Sequence, residues 1–207
     1  MSTAVRKAYS EVLAEKVTQW VMGEIQAEEI EYLKAKLGLE SILINLSKMI
    51  VVYVIAIAFR TLIPTLITHL SYVVLRKFSQ GLHAKYSTVC TLASIAMFVI
   101  LPYLLQNAEI SRQWVLLIGV AAPCLFYFYA PADTEKSPII NSRIRNELRW
   151  KSVMASIVMM GIALIVDPMM RTLIVAGVVM QVIMILPQTY KILGRSYNNY
   201  EKYETTD

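Results

Sequence analysis

The sequence predicts an all-α fold, a polytopic membrane helix bundle with about six membrane segments and an N-terminal amphipathic helix. Of its 207 residues, 57% are hydrophobic and only 17% are charged, whereas about a quarter of the residues of a soluble domain are charged. The apolar residues are gathered in long blocks, which is typical of integral membrane proteins. The basic residues fall between these blocks, so orientation in a membrane explains the net charge of +5 better than binding to nucleic acid.

Residues 1–40 are predicted to form an amphipathic surface-helix region. Their apolar side chains recur at spacings of three and four, which favours one helical face. These side chains are Val5, Tyr9, Val12, Leu13, Val17, Trp20, Val21 and Ile25. Such a helix either lies in the headgroup plane, with Trp20 at the interface, or packs on the rest of the protein. Gly23 and Gly38 are candidate breaks, and no signal peptide is evident.

The predicted membrane-embedded domain covers residues 41–186 and is followed by a C-terminal tail, 187–207. Its apolar segments are 41–59, 61–75, 90–105, 114–129, 152–166 and 170–186. Several are shorter than the ~20 residues that span a bilayer. We therefore expect some to be re-entrant, or the bilayer to thin around them. Because Lys48 interrupts the first segment, a five-span alternative joins 49–75 into one element.

The distribution of charge favours six spans. In that arrangement one side of the membrane holds all but three of the 20 basic residues, the exceptions being Arg60, Arg112 and Arg171. The positive-inside rule then places both termini in the cytoplasm, with a multi-pass chain in the cell membrane. The five-span alternative would separate the N-terminal basic residues from the other basic clusters.

Residues 76–90, RKFSQGLHAKYSTVC, combine a histidine and a cysteine with basic residues. A cysteine is nucleophilic as its thiolate, which a neighbouring imidazole and positive charge favour. On a straight helix, His83 and Cys90 would be ~10 Å apart along the axis, whereas a thiol–imidazole hydrogen bond needs roughly 3 Å. We therefore expect a break near Gly81 or before Cys90. Cys90 would then begin the third apolar helix, whose N-terminus stabilises a thiolate.

A structural interpretation of these residues stays open. A cysteine at the start of a membrane helix is often only a small buried hydrophobe. His69, inside the second apolar segment, is an intramembrane ionisable group and a further candidate site. Cys124 is predicted to be a packing residue. The sequence predicts no metal site, because His83 and Cys90 alone are too few ligands, and no cofactor motif.

The 76–90 segment resembles the signature of the accessory gene regulator B family. Its members are bacterial membrane endopeptidases that process the propeptides of cyclic quorum-sensing peptides. Residues 129–139, YAPADTEKSPI, resemble the loop after the fourth apolar segment in that family. The resemblance extends over about 50–190. The family commonly has two glycines before the histidine, and Gln80 stands at the first of these positions.

The resemblance implies a thiol protease with a defined chemistry. His83 takes the proton of Cys90, and the thiolate attacks a peptide bond near the C-terminus of the propeptide. The C-terminal fragment leaves, and a thioester remains on Cys90. An internal thiol or hydroxyl of the peptide then closes a thiolactone or lactone ring. Water must be excluded during this step.

Further site residues are predicted around this pair. Supporting or oxyanion-stabilising roles fall to Arg76, Gln80, Gly81 and Asp133. Asp133 is the first candidate to orient His83, with Gln80 next, and a Cys–His dyad alone is the alternative. Lys136, Arg143 and Arg145 are predicted to bind the acidic C-terminal region of the propeptide. For Arg149 and Lys151, simple orientation of the spans is at least an equal explanation.

Two other functions compete with the enzyme. The first is a peptide or small-solute transporter with a structural His/Cys pair, and the second is a membrane-anchored interaction partner that acts through its N-terminal helix. Polar groups within the segments are few and scattered, which weakens transport; they are Asn45, Lys48, His69 and Gln181. The expected partners are the propeptide, membrane lipid and a second copy of the chain, because short spans gain by packing in a two-fold dimer.

Overall fold

The computed structural model describes residues 16, 19–20, 29–82, 87–135 and 138–204. Its regular elements are helical throughout this part of the chain, which confirms the predicted fold class. Most of the predicted N-terminal amphipathic helix lies outside the described residues. The chain divides into two compact units, Met1–Val54 and Ile55–Asp207, and the second contains the candidate site.

The first long helix, α1, covers Glu29–Ala58. It runs through Gly38 and across the predicted boundary at residues 40 and 41 without a break. A glycine inside a helix costs only about 1 kcal/mol relative to alanine, which a helix of this length tolerates. A turn follows, in which Arg60 has a φ of 57° and the Thr61 N–H donates to the Ala56 carbonyl at 2.8 Å. The single element over 49–75 that the five-span alternative requires is therefore absent.

The remaining helices follow the predicted apolar segments up to residue 185, and two short helices lie in the predicted C-terminal tail. They are α2 Leu62–Ser79, α3 Ser87–Ile95, a π-helical turn Ala96–Ile100, α4 Leu101–Leu105, α5 Arg112–Tyr129, α6 Ser142–Ile165, α7 Pro168–Ile185, α8 Pro187–Ile192 and α9 Glu201–Glu204. Among the described helices, α5, α6 and α7 are long and apolar enough to cross a membrane. Asn45–Ala58 and Val89–Leu105 are shorter apolar helical stretches. The number of six spans stays a prediction.

Helix α6 begins well before the apolar block that predicted it. Asn141 caps its first turn, because its side-chain oxygen accepts hydrogen bonds from the N–H groups of Arg143 at 2.9 Å and Ile144 at 3.3 Å. Four basic residues between the fourth and fifth predicted apolar segments therefore lie on the first turns of a helix; they are Arg143, Arg145, Arg149 and Lys151. Hydropathy does not reveal the start of α6, because it reports which residues suit the membrane interior and not which residues are helical.

Helix α7 forms the centre of the bundle, with α2 packed on it and α5 packed on α6. Its N-terminus is joined tightly to α6. Asp167 caps the N-H of Met170 at 3.0 Å, and the buried Arg171 side chain donates to the carbonyls of Ala163 and Val166, both at 3.1 Å. Arg171 thus satisfies carbonyls that the end of α6 leaves without helical partners. This role explains one of the three basic residues that the six-span prediction places on the side of the membrane with few charges.

Helices α2 and α7 approach most closely at Gly177. A Cβ atom at this position would lie 2.7 Å from both the Ser71 Cβ and the Thr68 carbonyl oxygen. The facing surface of α2 is made of small hydroxyl residues, Thr65, Thr68 and Ser71, all buried. Small residues at such a crossing let two helix backbones approach, which stabilises helix association in membranes.

We expect Gly177→Ala to destabilise the fold, because α2 and α7 must separate to admit the methyl group. Overpacking of this kind costs about 1–3 kcal/mol. Thermal unfolding of the purified protein in mild detergent measures the effect. Gly161→Ala is the matched control, because nothing lies within 4 Å of the added Cβ, and alanine is favoured in a helix by about 0.5–1 kcal/mol. Equal Tm values for the two variants would contradict this close crossing.

Candidate active site

Residues 80–82 form a turn after α2, here called the pre-histidine turn, which ends one residue before His83. Its backbone is unusual at two successive positions, with φ of 53° at Gln80 and 120° at Gly81. A Cβ at Gly81 would lie 3.0 Å from the Met184 carbonyl oxygen. Glycine is therefore required there for both its conformation and its size. Gln80 carries strain of about 1–3 kcal/mol, which the glycine common in the family would relieve.

Backbone hydrogen bonds hold the pre-histidine turn on two sides. The Gly81 N–H donates to the Ala132 carbonyl at 2.9 Å, and the Ala132 N–H donates to the Ser79 carbonyl at 3.0 Å. On the other side, the Leu82 N–H donates to the Met184 carbonyl at 3.1 Å. The turn is thus fixed between the loop after α5 and the end of α7, so the chain enters His83 from a defined position.

Gln181 fixes the same turn from within α7. Its fully buried side-chain amide donates to both the Ser79 hydroxyl and the Gln80 carbonyl, each at 2.6 Å. The sequence analysis did not predict this role, because Gln181 was only one of several polar residues scattered through the apolar segments. The available signal was its position inside an apolar segment, because a polar group there needs a specific partner.

Arg76 links the pre-histidine turn to Tyr72, a residue of α2. One of its guanidinium nitrogens donates to the Tyr72 hydroxyl at 2.7 Å, and another donates to the Leu82 carbonyl at 2.9 Å. Tyr72 is in turn close enough to Cys90 for the two to interact electrostatically. Arg76, Gly81 and Cys90 therefore belong to one region of the structure.

Cys90 lies in the first turn of α3 and is half-buried. Its carbonyl accepts a hydrogen bond from the Ser94 hydroxyl at 2.9 Å. Because Gly81 and Leu82 are not helical and α3 begins at Ser87, no continuous helix runs from 81 to 90. This is the break expected from the spacing of the histidine and the cysteine. His83 itself lies outside the described residues, so its pairing with Cys90 stays a prediction.

Asp133 is buried under the C-terminal tail. Its carboxylate accepts hydrogen bonds from the backbone N–H groups of Asn199 at 2.8 Å and Tyr200 at 2.9 Å, and from the Asn199 side chain at 3.3 Å. The Tyr190 hydroxyl donates to the Asp133 carbonyl at 3.1 Å. Asp133 therefore holds the tail against the loop after α5. Its proposed action on His83 is untested.

The tail packs on this loop through buried aromatic residues. The rings of Tyr190 and Tyr197 meet edge to face, with centroids 5.1 Å apart. Burial raises the pKa of Tyr190, and it raises the pKa of Tyr197 to about 12. Both phenols therefore stay protonated and donate hydrogen bonds, that of Tyr197 to the Tyr129 carbonyl at 3.3 Å. The hydrogen bond from Ser196 lowers the pKa of Glu135, which adds an anionic contact to the same interface.

Some residues of the basic cluster make contacts within the protein. This cluster consists of Lys136, Arg143, Arg145, Arg149 and Lys151. The Arg145 guanidinium stacks on the Tyr200 ring at 3.7 Å and donates to the Ile139 carbonyl at 3.2 Å. The Arg149 guanidinium donates to the Ala130 carbonyl at 3.2 Å. Arg143 is exposed. Lys136 lies outside the described residues.

The remaining sequence candidates are placed away from this region or have packing roles. The His69 ring lies 4.5 Å from the Phe98 ring. Cys124 is exposed on α5, which corrects its prediction as a packing residue. A small side chain on an apolar membrane helix can face lipid or pack inside the protein. Hydropathy is the same for both positions, so it could not show which of them Cys124 occupies. Within the described ranges, no group of three or more His, Cys, Asp or Glu residues could hold a metal ion.

Comparison with known proteins identifies the family. The family model for accessory gene regulator B matches residues 14–185. The chain belongs to the accessory gene regulator B family. It is 46% identical over 179 residues to an AgrB-like protein of Listeria innocua, covering 86% of this chain and 87% of that protein. It is also 36% identical over 202 residues to an AgrB-like protein of Clostridium acetobutylicum, covering 97% of each chain.

A third relative carries the family name in full. The accessory gene regulator protein B of Staphylococcus intermedius is 38% identical over 158 residues, covering 76% of this chain and 84% of that protein. No solved structure gives a significant match. These relatives confirm the resemblance that the two sequence motifs indicated. Membership of the accessory gene regulator B family implies a role in the accessory gene regulator quorum-sensing system and association with membranes.

Proposed function

We propose that this protein is a membrane-embedded cysteine endopeptidase that cleaves off the C-terminal part of a signalling propeptide. The acyl part of the peptide forms a thioester with Cys90 and is then released as a thiolactone or lactone ring. The observation that carries this proposal is the fixed pre-histidine turn beside the helix that begins just before Cys90. Such an arrangement supports a base at His83 and a nucleophile at Cys90 on two separate elements.

The chemistry divides between His83 and Cys90. The imidazole accepts the thiol proton, and the thiolate attacks the carbonyl carbon of the scissile bond. When the carbon–nitrogen bond breaks, the imidazolium returns its proton to the departing amine. The first turn of α3 favours negative charge at Cys90, because backbone N–H groups there have no helical partner. An internal thiol or hydroxyl of the peptide then displaces the Cys90 sulfur and closes the ring.

The rigidity of the pre-histidine turn supports catalysis directly. A general base is effective only when it lies within hydrogen-bond reach of the proton that it removes. Holding the reacting groups in such a geometry accelerates a reaction, and a displacement of 1 Å can cost about 10²-fold in rate. Gly81, Arg76 and Gln181 act here by fixing the backbone before His83. We propose Gln80, or a backbone N–H beside it, as the group that stabilises the oxyanion.

The basic cluster is proposed to receive the leaving part of the propeptide. Lys136, Arg143 and Arg145 would bind its acidic C-terminal region on the same side as the site. Arg143 is exposed, and Arg145 presents a guanidinium already oriented by Tyr200. Arg149 contacts Ala130 and therefore fits a structural role better. We further propose six spans in the bacterial cell membrane, both termini in the cytoplasm, and a homodimer.

Reconstitution in lipid vesicles tests the proposed function. The substrate is the product of a small neighbouring reading frame with an amphipathic N-terminus, a central Cys or Ser and an acidic C-terminus. We expect mass spectrometry to show a released C-terminal fragment and an N-terminal product lighter by one water than its linear form. Intact propeptide that merely accumulates across the vesicle membrane would instead support the transporter.

A further inference from the structure

An open apolar groove lies between α7 and the apolar helical stretch Val89–Leu105, which runs from α3 through the π-helical turn into α4. Its volume is about 250 Å³, and its lining is almost entirely apolar. One wall consists of Ala96, Met97 and Leu101, and the other of Met180, Ile183 and Met184. Met180 is buried at 6% exposure and forms the floor, whereas Ile183 is 45% exposed at the rim.

The groove adjoins the candidate active site on both walls. Met97 follows Cys90 by seven residues on a continuous helical stretch, which brings the two to the same face about 10 Å apart along the axis. On the opposite wall, the Met184 carbonyl accepts the hydrogen bond from Leu82 at 3.1 Å. The groove therefore begins beside the residue that holds the pre-histidine turn, on the face that presents Cys90.

The π-helical turn shapes the first wall. A π turn inserts an extra residue into a helix and is frequent at functional sites. Within this turn, the Phe98 ring contacts α2, with its centroid 4.5 Å from that of His69 and 5.1 Å from that of Tyr72. Ala96 and Met97 face the groove instead. Methionine side chains are flexible and polarizable, so this lining can adapt to apolar groups of different shape.

We propose that this groove binds an apolar side chain of the propeptide about three residues before the scissile bond. The inference rests on the proposed function, because Cys90 marks where that bond is attacked. An extended peptide advances about 3.3 Å per residue, so three residues cover the ~10 Å from Cys90 to Met97. The acidic leaving part is excluded, because an apolar lining offers no partner for a carboxylate. The occupant must therefore belong to the acyl part.

Photocrosslinking in vesicles tests this assignment without requiring turnover. Benzoylphenylalanine is placed in turn at each central residue of the synthetic propeptide, and the full-length Cys90→Ala protein is irradiated with each peptide. We expect one position, the third before the bond cleaved by the wild type, to label Met97, Met180 or Ile183. Labelling elsewhere, or none, would overturn the proposal. Labelling of the same residues by a photoactivatable acyl lipid at saturating peptide would also overturn it and assign the groove to lipid.

A groove-filling variant gives an independent readout. Ala96→Phe should raise the KM for a propeptide with phenylalanine at that third position roughly 10-fold, and change it little when alanine stands there. Ala121→Phe, on an exposed position of α5 that does not line the groove, is the matched control. Unchanged KM in Ala96→Phe would count against the groove. If the peptide crosslinks to the groove but wild-type protein never cleaves it, the proposed function fails while the binding site stands.

Discussion

Cys90→Ala will abolish processing of the propeptide while the protein remains folded and inserted. Cys90 lies in the first turn of α3, and its carbonyl rather than its sulfur takes part in the hydrogen bond with Ser94. Removal of the nucleophile therefore leaves the local backbone intact. His83→Ala should have nearly the same effect, because loss of one acid–base partner costs about 10²–10⁴ in rate. Initial rates of fragment release from the reconstituted protein measure both losses.

The matched control is the second cysteine. Cys124→Ala alters an exposed residue of α5 and should process the propeptide at the wild-type rate. Combining His83→Ala with Cys90→Ala should be no slower than the slower single variant, because groups that act together in one step are not additive. Two independent losses that multiply would argue that His83 and Cys90 do not share a step.

Gly81→Ala should lower kcat about 10²-fold with a much smaller change in KM. The new methyl group would meet the Met184 carbonyl, and the φ of 120° is unfavourable for alanine. The pre-histidine turn must then shift, and His83 moves with it. Substrate binding depends on other surfaces, so it should be less affected. Steady-state kinetics with the propeptide separate the two parameters.

Gln80→Gly is the control for this prediction. Its φ of 53° already lies in the region that glycine prefers, so the change relieves strain and preserves the turn. We expect thermal stability equal to or higher than that of the wild type, whereas Gly81→Ala should be less stable. Because Gln80 is also a proposed oxyanion donor, a loss of kcat in Gln80→Gly would assign that role to its side chain and not to the conformation of the turn. Wild-type kcat in Gly81→Ala would show that the conformation of this turn is not needed for catalysis.

The apolar blocks were sufficient to predict the helices of the second unit up to residue 185, but not all their limits, and they did not predict the short helices α8 and α9 of the tail. The turn at Arg60 lies at the predicted boundary between segments 41–59 and 61–75. The start of α6 at Ser142 depends instead on the cap that Asn141 provides, which carries no hydropathy signal. Helix α2 shows the reverse case. Its buried Thr65, Thr68 and Ser71 lower its hydropathy, and Thr68 and Ser71 make the close contact with Gly177. Residues that pack in this way lower the hydropathy of a helix, although 61–75 was still predicted as an apolar segment.

The sequence was enough to name candidate residues for the site. It was not enough to predict the long-range contacts that hold the neighbouring backbone in place. Chemistry and spacing led us to expect a glycine-containing break before His83, which the turn at Gly81 confirms, whereas the pairing of His83 with Cys90 stays a prediction. The contact of Gln181 with Ser79, and of Asp133 with Asn199, joins residues far apart in the chain. No local pattern encodes such contacts. The C-terminal tail was treated as a separate region for the same reason, although Tyr190 is only 1% exposed.

The central claim is that Cys90 carries the peptide as a thioester. A propeptide without its ring-closing nucleophile should stop the reaction at this stage. In a Cys124→Ala background, which leaves one cysteine in the chain, intact-mass spectrometry should show the protein heavier by the N-terminal fragment of the peptide. Hydroxylamine should remove this adduct, and Cys90→Ala should never acquire it. Release of the C-terminal fragment with no adduct at any time, or processing that persists in Cys90→Ala, would contradict the mechanism.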